Sequence, residues 1–297
     1  MMKVDMEKTV KEILVLAPAK INICLGVTSK RADGYHDIDS VMQTVGIYDN
    51  VRVRIDETAE GQRINVYCPG HDELFGQKNI AYRVAEAFLR YAKIEKYDID
   101  IEIEKVIPME AGLGGGSSDA AAVVCALNLL FGAKLSEAEL MAIGATVGAD
   151  VPFLVFRGTA FVQGIGDKIE RCVALPNVPV LVAYPHNEKV STGKAYGAID
   201  ARGEFSSTED FEKMKAAVLA QDIEQIGALA YNIFESVIPE QSAIFRIKEE
   251  MLAYGAVFSL MSGSGSAVFG VFRDNETAEK AAEALAPLAK TFVTSFC

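Results

Sequence analysis

The chain has 297 residues and a formal charge of −12, from 29 Lys+Arg against 41 Asp+Glu. Wrapping nucleic acid or lying on an anionic membrane needs basic surface, so this balance argues against both partners, and any bound phosphate has to be held locally. Half the residues are hydrophobic, 24% are charged and only 9 are Pro, which excludes a disordered chain and leaves room for two domains or one large one.

Cys24, Cys68, Cys125, Cys172 and Cys297 are odd in number, scattered and without a CxxC pair, as reduced structural cysteines of a cytoplasmic protein are. The segment MMKVDMEKTVKEIL mixes both charge signs and lacks the apolar core of a signal peptide. From Met251 to Phe272 no charge occurs, but four Gly and four Ser make that stretch a buried turn region rather than a membrane span.

In chain order, ILVLA (13–17) and INICLGV (21–27) read as short apolar strands. Asn79 to Lys93 places Ile80, Val84, Ala87, Phe88 and Tyr91 on one helical face. Val51, Val53 and Ile55, then Ile99, Ile101 and Ile103, alternate with polar residues as half-buried strands do. DAAAVVCALNLLFG is apolar nearly all round and predicts a buried central helix ended by Gly132, while Ser136 with Glu139 predicts a capping box for the next helix. Strands VPFLVF, GTAFVQ and PVLVAYP follow, then helices over 192–200, 209–220, 222–236 and 240–254. Strands VFSLM and AVFGVF, a helix over 275–286 and a strand FVTSF complete the chain. The absence of strict strand–helix alternation predicts α+β layers rather than a doubly wound sheet, with a boundary near residue 160.

The sharpest local feature is Pro108-Met109-Glu110-Ala111-Gly112-Leu113-Gly114-Gly115-Gly116-Ser117-Ser118. Its glycines remove the Cβ atoms that would keep a phosphate from the backbone, and the following helix offers unpaired N–H groups at its positive end. No Lys follows the glycines as in a P-loop, and the strand context and the acidic residue about twenty positions on of a dinucleotide fingerprint are missing. A plain turn before a buried helix is the bland reading of the same residues.

Two charges stand alone. Lys20 is the only one between Glu12 and Lys30, and Asp150 the only one between Glu139 and Arg157. Ionised groups at the edges of apolar elements need partners, and their opposite signs suggest that they face each other. A structural ion pair satisfies this; so does a catalytic pair, a carboxylate taking a hydroxyl proton and a cation offsetting phosphoryl charge.

APAKIN, PMEAGLGGGSSDAAA, GADVPF and MSGSGSAVFG stand in the order and spacing of the three motifs of the GHMP kinases, and from about Leu16 to Phe272 the chain resembles that family of small-molecule kinases. RADGYHDIDSVMQTV narrows the resemblance to the branch acting on 4-diphosphocytidyl-2-C-methyl-D-erythritol. The resemblance implies an α+β two-domain fold: residues 1–160 like the second domain of ribosomal protein S5 and carrying the ATP phosphate loop, and residues 161–297 ferredoxin-like and completing the substrate cleft. It implies ATP-dependent phosphorylation of the substrate's 2-hydroxyl in the non-mevalonate route to isoprenoid precursors.

The resemblance further implies Lys20 and Asp150 as the catalytic pair, Pro108 to Ser118 as the phosphate loop, and Asn79 and Lys105 beside the nucleotide. Tyr35 and His36 match a stacking aromatic and a histidine reading the base edge, Thr192 and Tyr196 the opposite wall, and Asn22 a contact to the polar tail. Magnesium is expected with ATP rather than on a dedicated carboxylate pair, and Asp119 as a residue favouring the helix dipole. The expected partner is the cytidyl small molecule, without nucleic acid or membrane, in a monomer or weak homodimer. His71 and His186 carry no such match and suggest no zinc site. Tyr231-Asn-Ile-Phe-Glu235 keeps the family's Asn and Glu but has Ile-Phe where Asp-Leu is common, and MSGSGS varies the last glycine motif. A GHMP kinase of homoserine or mevalonate type, and a nucleotide sensor that has lost its chemistry, remain alternatives.

Overall fold

The computed structural model describes residues 10–56 and 58–297. In chain order its elements are β1 (Val10–Lys30), β2 (His36–Asp56), β3 (Gln62–Tyr67), α1 (Ile80–Ala92), β4 (Tyr97–Glu104), α2 (Gly115–Leu130), α3 (Glu137–Ala145) and α4 (Val151–Phe156). They continue with β5 (Thr159–Gly164), β6 (Lys168–Arg171), β7 (Pro179–Pro185), α5 (Thr192–Arg202), α6 (Thr208–Leu219), α7 (Ile223–Leu229), α8 (Ala243–Ala253), β8 (Phe258–Met261), β9 (Val268–Val271), α9 (Asn275–Leu285) and β10 (Ala289–Ser295). Two compact units divide the chain: one takes the chain up to Ala17, Tyr48–Val106 and Gly115–Phe156, the other Pro18–Ile47, Ile107–Gly114 and Arg157–Cys297.

In the first unit the far half of β2 pairs antiparallel with β4, Asn50 opposite Glu104 to Ile55 opposite Ile99, and β3 pairs parallel with β4. The alternation read in the sequence is realised: Val51, Val53, Ile55, Ile99, Ile101 and Ile103 are buried, while Arg52 and Arg54 face water. Helices α1, α2, α3 and α4 pack on one another, α2 buried on nearly every side. The capping box forms as expected: Ser136 Oγ accepts from Glu139 N, and the Glu139 carboxylate accepts from Ser136 N.

In the second unit the near half of β2 pairs antiparallel with β5, and β5 with β6. A separate four-stranded antiparallel sheet has the order β10-β7-β9-β8 and carries α8 and α9. Strand β7 explains its own sequence: Val180 and Val182 enter one hydrophobic cluster with Ile21, Phe161, Phe211 and Phe269, while Leu181 and Ala183 enter another with Phe234, Ile247 and Phe272. A strand buried on both faces has no polar positions to alternate, hence the continuous run PVLVAYP.

Four expectations are corrected. VPFLVF is the helix α4, not a strand; an apolar run buried on all sides carries no period, and Pro152 is tolerated in a first turn, where its missing N–H is not needed. The two strands at 13–17 and 21–27 are one, β1, which passes through Pro18. The helix expected over 222–236 stops at Leu229, because Asn232 leaves the helix to bond elsewhere and a short 3₁₀ turn, Ile233–Val237, follows. Tyr91 is exposed and donates to Glu139, while Ala85 and Leu89 take the buried face of α1.

Candidate active site

Lys20 lies in the buried run of β1, only 4% exposed. Its Nζ donates to Asn22 Oδ1 at 2.7 Å, since residues two apart on a strand share a face. Asn22 Nδ2 donates to Ser40 Oγ at 2.9 Å, and Ser40 Oγ to the Cys24 carbonyl at 2.7 Å. Asn22 Oδ1 accepts a second bond from Gly263 N at 3.0 Å, so the SGSG turn over 262–265 fixes the amide that holds the lysine.

That turn is itself anchored. Asn232, buried, donates from Nδ2 to the carbonyls of Met261 (2.7 Å) and Gly263 (2.8 Å), while its Oδ1 accepts from Phe234 N. Glu235 accepts from Met261 N at 2.7 Å and pairs with Lys248. In the sequence Asn232 and Glu235 stand only as residues matching the family's pattern; the fold gives them this anchoring role. Asn232→Ala leaves two buried carbonyls without these donors and is expected to lower stability by about 2–4 kcal/mol, measured by urea unfolding; a change within about 0.5 kcal/mol would contradict the anchoring role.

The same turn braces the glycine loop. Ser262 Oγ donates to Gly112 O at 2.9 Å, Ala267 N to Ala111 O at 3.0 Å, and Lys20 N to Leu113 O at 2.9 Å. Gly112 has φ +79° and a Cβ there would overlap the Ser262 carbonyl, so both the backbone conformation and the space demand glycine. Ala111 and Leu113 are buried pins, whereas Pro108, Met109 and Gly114 are partly open. Glu110, exposed at φ +54°, accepts from Lys189 Nζ at 3.1 Å.

In the first unit, Gly115, Gly116, Ser117 and Ser118 form the first turn of α2, with Gly115, Gly116 and Ser117 open to solvent. A 16-residue helix that starts on glycines presents bare N–H groups and a positive end. Asn79 caps α1: its Oδ1 accepts from Ala81 N and its Nδ2 donates to Leu74 O, both at 2.8 Å. Asp150 is half-buried immediately before α4, its carbonyl accepting from Leu154 N at 3.2 Å. Lys20 and Asp150 belong to different units.

Lys105 donates to both Asp49 and Asp119, the latter at 2.8 Å, in a cluster whose side chains are at most 5% exposed. Asp119 therefore serves a buried hydrogen-bonded cluster rather than the helix dipole, and Asp49 was not singled out in the sequence. The Asp119 carboxyl is pushed up to about 8, first by burial and further by Asp49, against the opposing pull of Lys105. A raised carboxyl is favoured protonated in the fold, so its contribution to stability is greatest near the ordinary carboxylate range and declines as pH rises towards that value. Asp119→Asn is expected to flatten the fall of the thermal midpoint between roughly pH 5 and pH 8; an unchanged slope would contradict this assignment.

Of the residues expected at a base, His36 and Tyr196 are brought into contact, while Tyr35 lies next to His36 in the preceding turn. The turn from Arg31 to Tyr35 joins β1 to β2, with Arg31 N donating to Tyr35 O, and leaves Tyr35 63% exposed. His36 opens β2; its ring stacks on Tyr196 with centroids 4.6 Å apart, and Nε2 lies 2.7 Å from Asp200 Oδ1. Thr192 Oγ1 lies 2.7 Å from Ser264 Oγ, tying the start of α5 to the SGSG turn. Asp200 escaped the sequence reading, although its place four residues after Tyr196 on one helix was a usable signal.

The family model for the GHMP kinases N terminal domain matches residues 79–158 and that for GHMP kinases C terminal matches residues 214–289. The chain is 43% identical over 271 residues to the 4-diphosphocytidyl-2-C-methyl-D-erythritol kinase of Syntrophotalea carbinolica, covering 91% of this chain and 93% of that one. It belongs to the 4-diphosphocytidyl-2-C-methyl-D-erythritol kinase family of GHMP kinases. The crystal structure of a 4-(cytidine 5'-diphospho)-2C-methyl-D-erythritol kinase matches this kinase with TM-score 0.76 at 32% identity, covering 96% of this chain and 99% of that one. The homoserine kinase of Cytophaga hutchinsonii matches with TM-score 0.75 at 22% identity, covering 99% and 96%. Shape alone therefore does not separate the two branches; the α+β GHMP architecture is common to both, and identity places this kinase in the first. Among the described residues no helix is long and apolar enough to cross a membrane.

Proposed function

We propose that the chain transfers the γ-phosphoryl group of ATP to the 2-hydroxyl of 4-diphosphocytidyl-2-C-methyl-D-erythritol. The observation that carries this reading is the stack of His36 on Tyr196 next to the exposed Tyr35, which phosphoryl transfer by itself does not require and recognition of a flat base does. The loop suits a triphosphate: Gly112 and Gly114 have φ of +79° and +69°, and the α2 end beyond them is open to solvent and electropositive. Residues Pro108 to Ser118 hold the phosphates in this account, with Lys105 and the α1 start capped by Asn79 beside the nucleotide. Magnesium accompanies ATP and supplies charge neutralisation at the phosphates.

Asp150 accepts the hydroxyl proton as the oxygen attacks phosphorus, and the Lys20 ammonium offsets the charge that develops. Asn22 fixes the Lys20 ammonium through Oδ1 and keeps one Nδ2 hydrogen for the acceptor's polar tail. Tyr35 presents an open ring face to the base, His36 reads the base edge, and Tyr196 supports His36 from behind, with Thr192 beside it. A cytoplasmic setting is consistent with five thiols that form no disulfide.

Coupled ADP release with ATP and magnesium tests the reading. Turnover with the cytidyl acceptor and not with homoserine, mevalonate or galactose is expected. Turnover with one of the others alone would overturn the base assignment, and turnover with none would overturn the kinase reading.

A further inference from the structure

The ring of His36 is held from two directions by one helix. Tyr196 fixes its plane, at 26° between the rings, and Asp200 fixes its edge at 2.7 Å; both lie on α5, one turn apart. Neither support is loose. Phe234 packs its edge on Tyr196 with centroids 4.8 Å apart, and Lys30 Nζ donates to the other Asp200 oxygen at 2.6 Å. His36 and Lys30 together hold the Asp200 carboxyl below its usual range, so it is an ionised acceptor.

A carboxylate can only accept, so the His36 nitrogen facing it, Nε2, carries hydrogen. In the neutral ring the other nitrogen, Nδ1, is then an acceptor. Cytosine and uracil differ at position 4 of the ring: cytosine carries an amino donor there and uracil a carbonyl acceptor.

We propose that Asp200 is a specificity-determining positioning residue, which acts through His36 by presenting Nδ1 as an acceptor for the amino group of a cytosine base and against the carbonyl of uracil. This rests on His36 as the reader of the base edge. It goes beyond that reading by assigning the ring's hydrogen, its cause and the base it rejects. A mismatched acceptor pair leaves both oxygen and nitrogen without their hydrogen bond, which is how a polar site excludes a near-isostere.

The test compares kcat/KM for the cytidyl acceptor and its uridyl analogue in the parent, Asp200→Asn, Asp200→Glu and His36→Ala. The Asn side chain can donate to Nε2 and so lets Nδ1 carry the hydrogen. In Asp200→Asn the cytidyl-to-uridyl ratio is expected to collapse by about 10–100-fold, mainly through a higher cytidyl KM, with kcat for the cytidyl acceptor kept within about 3-fold. Asp200→Glu keeps the carboxylate and should restore much of the ratio. A merely structural role would depress both acceptors equally and leave the ratio unmoved, which would overturn the proposal while the base assignment stood. If His36→Ala leaves the cytidyl KM unchanged, the base assignment itself fails, and the proposal with it.

Discussion

Asp150→Asn is expected to lower kcat by about 10³-fold while the KM values for ATP and acceptor stay within about 3-fold of the parent. The substitution keeps the size of the side chain and removes its capacity to take a proton. The backbone role of Asp150 is untouched: its carbonyl still accepts from Leu154 N in the first turn of α4, so the helix and the buried Val151, Phe153 and Leu154 keep their places. In the proposed reading the triphosphate is held by loop backbone and the base by β2 and α5, none of which the change touches. Steady-state kinetics on enzyme of parent-like circular dichroism measures this. A fall in kcat under about 10-fold would remove Asp150 from the proton transfer, and a rise of the ATP KM in step with the loss would make it a binding residue instead.

Gly112→Ala is expected to cut kcat/KM for ATP by more than about 100-fold and to lower the thermal midpoint by several degrees. The new methyl would meet the Ser262 carbonyl, and the +79° φ at this position strains any residue with a Cβ. Relief requires the loop to part from the SGSG turn. That turn also carries Gly263 N, which holds Asn22 Oδ1 and through it the Lys20 ammonium, so one methyl group displaces the glycine loop and the Lys20 ammonium together. Gly132→Ala is the control: its φ of +62° strains alanine, but no atom lies within 4 Å of the added Cβ, so stability should fall while the ATP KM does not change. Equal kinetic effects of the two changes would contradict the coupling.

The parts of the site legible in the sequence are those whose chemistry is local. A run of glycines ending in a helix, a lysine and an aspartate alone in apolar surroundings, and Ser136 three residues before Glu139 each declare themselves within a few positions. The parts that were hidden depend on partners far along the chain. Asn232 lies outside the helix that ends at Leu229: its Oδ1 caps the next turn at Phe234 N while its Nδ2 donates to Met261 and Gly263, some thirty residues on, which no local pattern announces. VPFLVF could not be told from a strand, since burial on every side erases periodicity, and the apolar runs at 13–17 and 21–27 read as two strands where β1 is one. Asp49, in YDN, carries no local signal of its role, because its partner Lys105 lies 56 residues along the chain.

Transfer of phosphorus from ATP to one hydroxyl of the cytidyl acceptor is followed by ³¹P NMR of a reaction containing this protein, ATP, magnesium and 4-diphosphocytidyl-2-C-methyl-D-erythritol. The expected result is loss of the γ-phosphate signal in step with a new phosphomonoester resonance, with the diphosphate signals of the acceptor retained and a carbon coupling that places the ester at C2. Release of inorganic phosphate alone, or a new signal at another hydroxyl, would contradict it.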